Sequence, residues 1–141
     1  MFHCAICTGP VTGEIRPPGS KSITNRALVC AAIATGPSTL HHALDCDDTE
    51  VMVTALQTLG LSIDWCKETS TLNILGCSGQ IPVTTANLYV ANSGTTVRFL
   101  TAMLASMQGE FTLDGVQRMN QRPINDLVQA LNELGANVQC A

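Results

Sequence analysis

A chain of 141 residues is long enough for one domain with a real core, and at 45% apolar but only 4% aromatic residues that core must be built from Ala, Val, Leu and Ile. A net charge of -4 with 7 Lys and Arg excludes the basic face of an ordinary nucleic-acid binder, and the aromatics that would stack on bases are nearly lacking. No apolar run approaches the roughly 20 residues that cross a bilayer, so no membrane role is expected.

The first sixteen residues read as an extended lead-in, with Val11-Thr12-Gly13-Glu14-Ile15 a short strand. Cys4 and Cys7 form one C-x-x-C, but no second pair follows at zinc-finger spacing, so neither a metal nor a cofactor is expected there. The other cysteines are Cys30, Cys46, Cys66, Cys77 and Cys140. An odd total at irregular spacing, with no signal peptide, predicts reduced thiols and a cytoplasmic protein.

From Pro17 onward the residues point to chemistry. Pro17 and Pro18 keep the chain extended, Gly19 permits a sharp turn or a close backbone approach to a ligand, and a helix begins at Ser20 or Ser22. The first N–H groups of a helix have no intrahelical partners and sit at the positive end of the peptide dipole, so an anion is favoured there. Lys21 and Arg26 add to that field, and Ser22 shares a helix face with Arg26 four residues on. Any one of these residues fits an ordinary capped helix start, whereas the cluster, in a chain with few cations, predicts an anion site. The helix extends to about Ala34; Ala27 to Ile33 is apolar on every side, which predicts burial, and Gly36-Pro37 predicts its stop.

Ser38 to Leu44 reads as a short strand. Asp47 and Glu50 have capping-box spacing, and Met52, Ala55, Leu56 and Leu59 recur at i, i+3, i+4 and i+7 before Gly60, which predicts an amphipathic second helix. Asp45, Asp47 and Asp48 invite a metal or catalytic reading, but capping and the helix dipole account for Asp47 and Asp48. Leu61 to Trp65 and Thr71 to Leu75 form a predicted strand pair, Gly76 to Ala86 a loop, and Leu88 to Val90 the next strand.

The chain then repeats its order of elements. Arg98-Phe99-Leu100 lies 72 residues after Arg26-Ala27-Leu28, Phe111-Thr112-Leu113 lies 73 after Ser38-Thr39-Leu40, and Ala130 to Gly135 lies 75 after Ala55 to Gly60. Similar offsets in a shared order indicate duplication of a supersecondary unit of roughly 70 residues. The second copy opens on Asn92-Ser93-Gly94-Thr95-Thr96-Val97-Arg98, where Gly94 permits close approach, Thr95 and Thr96 offer hydroxyls and Arg98 supplies charge. Its second helix opens with Arg118-Met119-Asn120-Gln121-Arg122-Pro123; Pro123 suits the first helical position and puts Arg122 at the helix mouth. Cation-bearing helix starts around Lys21, Arg98 and Arg122 are expected to face one cleft. The second copy stops soon after its helix, so the chain is expected to be part of a longer repeated protein.

Pro18 to Leu28, Asp47-Asp48-Thr49, Asn92 to Arg98 and Arg118 to Ile124 occur in the order found in 5-enolpyruvylshikimate-3-phosphate synthases, and the chain resembles that family from about Val11 onward. The resemblance implies a mixed helix and sheet (α+β) fold of βαβαββ-type units, about two of them present. Residues 1–16 would be a lead-in belonging to another domain, and 17–141 part of a substrate-binding domain, with a first unit at about 17–86 and a truncated second at about 87–141. The implied reaction transfers the enolpyruvyl group of phosphoenolpyruvate to the 5-hydroxyl of shikimate 3-phosphate and releases phosphate, in aromatic amino-acid synthesis. By motif position Lys21 resembles the catalytic lysine that contacts both substrates, Ser22 and Arg26 the shikimate 3-phosphate ligands, and Gly94 and Arg122 phosphoenolpyruvate-binding positions, with Asn92 and Arg98 shaping that loop. Gly94 is where a side chain would crowd the inhibitor glyphosate. Val97 and Phe99 depart from the Met and Pro of some members. No general acid and base pair is evident, and in the family those groups lie beyond Ala141, so the chain alone is expected to be inactive and to need the remainder of the enzyme.

Three other readings compete. The related transferase acting on UDP-N-acetylglucosamine usually has Lys-Asn where this chain has Lys21-Ser22, and carries a reactive loop cysteine that none of these seven matches. A phosphate-binding P-loop fails on spacing, because five residues separate Gly13 from Gly19 and Ser20 precedes Lys21. An isolated anion-binding module without turnover is the reading from a different functional class.

Overall fold

The computed structural model describes residues 8–140, and the Cys4–Cys7 pair lies outside them. The first unit holds α1 (Lys21–Ile33), β1 (Thr35–Leu40), α2 (Asp47–Thr58), β2 (Ser62–Cys66) and β3 (Thr71–Cys77); the second holds β4 (Thr85–Tyr89), α3 (Gly94–Leu104), β5 (Glu110–Asp114), α4 (Gln117–Asn120) and α5 (Asn125–Glu133).

In the first unit β3 is the central strand of an antiparallel sheet of order β1-β3-β2. Register pairs Thr35 with Cys77 and Leu40 with Leu72 on one side, and Ser62 with Leu75 and Cys66 with Thr71 on the other. Alternation along β3 turns Leu72 and Ile74 inward beneath α1. Gly76 is the point of closest approach, since a Cβ there would run into the carbonyls of Ala31 and Ala34. In the second unit β4 and β5 are parallel, Thr85 opposite Glu110 and Tyr89 opposite Asp114, and α3 is the crossover that a parallel pair requires.

One core joins the units. Leu28 of α1, Met52, Leu56 and Leu59 at α2, Leu72 and Ile74 of β3, Leu88 of β4 and Leu100 of α3 are all essentially inaccessible to solvent. At about 1.5–3 kcal/mol per fully buried large aliphatic side chain, this contiguous cluster is the main stabilising term of the fold.

Several expected boundaries move. Val11 to Ile15 is not a strand: Val11 and Ile15 are 80% and 88% exposed, and no strand among the described residues pairs with them. The first sheet strand begins at Thr35 rather than Ser38, so Gly36 and Pro37 lie inside it, on an edge strand that tolerates them, while α1 ends at the C-cap Ala34, as expected. The N-cap of α2 is Cys46, not Asp47, and Glu50 turns to Lys67 instead of closing a capping box. β4 starts at Thr85 and ends at Tyr89, before Val90. Pro123 precedes the N-cap Ile124 of α5 rather than occupying its first turn, and Arg122 lies in the link between α4 and α5. Residues 136–140 form no strand. Only one face of α1 is buried; Val29, Cys30 and Ile33 line an open apolar groove of about 340 Å³ against Met103 of α3 and Met107 in the turn that follows it.

Candidate functional site

The starts of α1, α2 and α3 come together, and a buried polar cluster holds them. Ser20 caps α1 by accepting from Ile23 N–H at 3.5 Å, and Ser93 caps α3 by accepting from Thr96 N–H at 3.3 Å. These equivalent caps are 73 residues apart, the same offset as Ser38 and Phe111, so Arg26 corresponds to Phe99 rather than to Arg98. Between the caps lies Asn25, fully buried, whose Nδ2 donates toward the Asp48 carbonyl (3.4 Å), Thr95 Oγ1 (3.2 Å) and Thr96 Oγ1 (3.4 Å). Thr96 is fully buried as well, and its hydroxyl lies 2.7 Å from Ser93 Oγ in a hydrogen bond. Thr96 was expected to offer its hydroxyl to an anion; burial gives it to this internal network instead.

Asp48, in the first turn of α2, links the cluster to the charged residues. Its Oδ2 is 3.4 Å from Lys21 Nζ, and its Oδ1 accepts from Ser93 Oγ at 2.5 Å. Next along the chain, Gly94 leaves a space that Arg122 fills: a Cβ on Gly94 would lie 2.5 Å from Arg122 Nη1. Arg98, one turn into α3, donates from Nη2 to the Pro123 carbonyl and so fastens the link that carries Arg122. Lys21 and Arg122, 101 residues apart in the sequence, thus come to the same turn, Lys21 through Asp48 to Ser93 and Arg122 beside Gly94.

The remaining predicted residues divide. Arg26 is exposed and stands over the Phe99 ring at 5.8 Å, a cation–π contact between α1 and α3. Ser22 and Asn92 are exposed, on the first turn of α1 and in the turn before α3. Gly19 approaches backbone and not open space, because a Cβ there would strike the carbonyl of His42. Arg16 of the lead-in donates to His42 Nε2 at 2.9 Å beside it.

Away from these residues, Lys67 pairs with Glu50 and, at 3.3 Å, with Asp45, and stands 4.8 Å from the Trp65 ring. Its pKa is raised above the usual 10.5, first by the hydrogen bond to Glu50 and then by that to Asp45. Asp45 therefore serves a surface ion pair. Among the described residues no group of three or more His, Cys, Asp or Glu could hold a metal ion, and no helix is long and apolar enough to cross a membrane.

Reasoning from sequence missed Asn25, Asp48 and Ser93. Asn25 carried a signal: it lies on the face of α1 shared with Leu28 and Ala32, where an amide needs partners. Asp48 and Ser93 lie in two of the motifs that carry the resemblance, but nothing in the sequence showed their contact, which connects residues far apart in the chain.

Comparison with known proteins matches residues 7–141 to the family model described as EPSP synthase (3-phosphoshikimate 1-carboxyvinyltransferase). A 3-phosphoshikimate 1-carboxyvinyltransferase of Laribacter hongkongensis is 47% identical over 129 residues, covering 92% of this chain and 30% of that protein. One from Cupriavidus necator is 47% identical over 139 residues, covering 96% and 31%. Among solved structures, an EPSP synthase from Acinetobacter baumannii superposes with a TM-score of 0.83 at 28% identity, covering 90% of this chain and 29% of that one. The enolpyruvyl transferase NikO from Streptomyces tendae shares the fold, at a TM-score of 0.59 and 21% identity over 84% of this chain and 26% of that one. The chain spans about 30% of the length of the relatives it matches.

Proposed function

The chain belongs to the EPSP synthase family, and we propose that it forms part of an enzyme transferring the enolpyruvyl group of phosphoenolpyruvate to the 5-hydroxyl of shikimate 3-phosphate, with release of phosphate. What supports this reading most directly is that Lys21 and Arg122 converge on Ser93 and Gly94 through Asp48 and the Gly94 gap. Both substrates are polyanions, and cations set at helix starts suit them.

In this reading Lys21 contacts both substrates, Ser22 and Arg26 hold the 3-phosphate of shikimate 3-phosphate, and Arg122 holds phosphoenolpyruvate across Gly94. Arg98 acts through its bond to Pro123, keeping Arg122 in place, and Asn92 shapes the turn before α3. The reaction forms a C–O bond at C2 of phosphoenolpyruvate while a proton moves to its methylene carbon and one leaves the attacking hydroxyl; a proton is then taken back from the resulting methyl group as the C–O bond to phosphate breaks, which restores the carbon–carbon double bond. This chain's part is positioning and charge stabilisation; the groups that move the protons are contributed by the remaining two thirds of such an enzyme. We place that enzyme in the cytoplasm and residues 17–141 in one substrate-binding domain.

Titration of the chain with shikimate 3-phosphate tests the site. Lys21→Ala and Arg26→Ala are each expected to weaken binding by about tenfold, the scale of one lost charge-assisted hydrogen bond, while phosphate release from the two substrates is absent with this chain alone. Unchanged affinity in both variants overturns the assignment; turnover by this chain alone overturns the division of labour.

A further inference from the structure

We propose that Asp48 is a positioning residue: its carboxylate holds the Lys21 ammonium at a fixed point and ties it to the Ser93–Gly94 turn, a role that rests on Lys21 being a substrate contact. The sequence assigns Asp48 to the dipole of its own helix, but its two oxygens are directed elsewhere, Oδ2 to Lys21 Nζ at 3.4 Å and Oδ1 to Ser93 Oγ at 2.5 Å.

Asp48 is itself fastened. Its carbonyl accepts from Asn25 Nδ2 at 3.4 Å, and its side chain is 24% exposed against 45% for Lys21. Of the two partners the lysine is the mobile one, so the contact restrains Lys21 and leaves Asp48 where it is. A free lysine has four side-chain torsions to fix before it meets a ligand, and a fixed carboxylate removes part of that cost beforehand. Because the same carboxylate holds the cap of α3, it also sets the separation between a cation of the first unit and the Gly94 gap of the second.

The direction of one effect separates this role from simple electrostatics. Deleting a carboxylate beside an anion site strengthens anion binding if charge alone matters. Positioning requires the opposite. Shikimate 3-phosphate is titrated into the wild-type chain, Asp48→Asn, Lys21→Ala and the double variant, and the Lys21 side-chain ¹⁵N–¹H signal is followed in the free proteins. Asp48→Asn keeps the size of the side chain and an oxygen for Ser93, and is expected to weaken binding about threefold, the scale of a partly exposed ion pair, and to shift the Lys21 signal. Added to Lys21→Ala, it should cost nothing further. Asp48→Glu retains the charge but moves it by one methylene, so it too should weaken binding about threefold, and it serves as the test if Asp48→Asn does not fold. Tighter or unchanged binding in Asp48→Asn, wild-type affinity in Asp48→Glu, or an undiminished loss in the Lys21→Ala background each overturns the role of Asp48 alone. Unchanged affinity in Lys21→Ala overturns the substrate-contact reading, and the role of Asp48 with it.

Discussion

Two serines at equivalent places in the repeat should differ sharply in what they contribute to stability. Ser93 is 3% exposed; it accepts from Thr96 N–H at 3.3 Å, donates to Asp48 Oδ1 at 2.5 Å and is bonded to Thr96 Oγ1 at 2.7 Å. Ser20 is exposed and its cap bond is long, 3.5 Å. Ser93→Ala removes an N-cap, worth about 1 kcal/mol, and a charge-assisted hydrogen bond, worth about 1.5–3 kcal/mol, so a loss of roughly 2–4 kcal/mol is expected. Ser20→Ala should cost about 0.5 kcal/mol, the low end of the capping scale. For a chain of this size the first corresponds to a fall in Tm of roughly 10 °C. Urea unfolding followed by circular dichroism measures both, and the midpoint should move while the slope stays constant. In Thr96→Ala/Ser93→Ala the loss should be smaller than the sum of the single losses, because each single change leaves the other hydroxyl short of a buried partner. Equal small losses at Ser20 and Ser93, or strict additivity in the double variant, would refute the reasoning that burial and the Asp48 bond separate the two caps.

Gly94→Ala should fold normally, since only the mobile end of Arg122 lies in the way. On the proposal that Arg122 holds phosphoenolpyruvate, a guanidinium displaced by about 1 Å loses up to about 100-fold in productive geometry, and kinetics of the full-length enzyme should show a raised KM for phosphoenolpyruvate with that for shikimate 3-phosphate little changed. Lys67 gives a pH signature. Its pKa is raised in the folded chain, so its contribution to stability is complete below the ordinary value of 10.5 and is lost as pH rises through the higher folded value. Lys67→Met should therefore flatten the alkaline limb of a stability profile.

The parts of the fold legible in the sequence were those fixed by local chemistry. Ser20, with a polar first turn and an apolar run behind it, located α1; Met52, Ala55, Leu56 and Leu59 located α2; and the alternation in Thr71 to Leu75 located β3. Misplaced boundaries were those decided by pairing at a distance. Gly36 and Pro37 read as a stop signal until β3 is placed opposite them, and Val11 to Ile15 has strand-forming residues but no partner strand among the described residues. At the site, motif spacing marked Lys21, Arg26, Gly94, Arg98 and Arg122 as a group. It could not show that Arg98 bonds to the Pro123 carbonyl, or that Asp48 and Ser93 join the halves, because neither contact has a sequence period to reveal it.

The polar cluster around Asn25 also governs when the site comes into being. Its bonds connect residues 45, 70 and 71 positions apart, from Asp48 to Ser93 and from Asn25 to Thr95 and Thr96, whereas the β2–β3 hairpin closes across four residues between Cys66 and Thr71. Long closures come late in folding because the chain entropy they cost is recovered only when both ends are already ordered. The hairpin and α2 therefore form on a local timetable, while the arrangement of Lys21, Ser93 and Arg122 waits for the second unit to dock. On partial opening the order reverses: parting of α1 from α3 separates the residues of the proposed anion site while β1, β2 and β3 remain paired. Ligand binding is thus a direct reporter of docking between the two halves of the repeat, and secondary structure content is not.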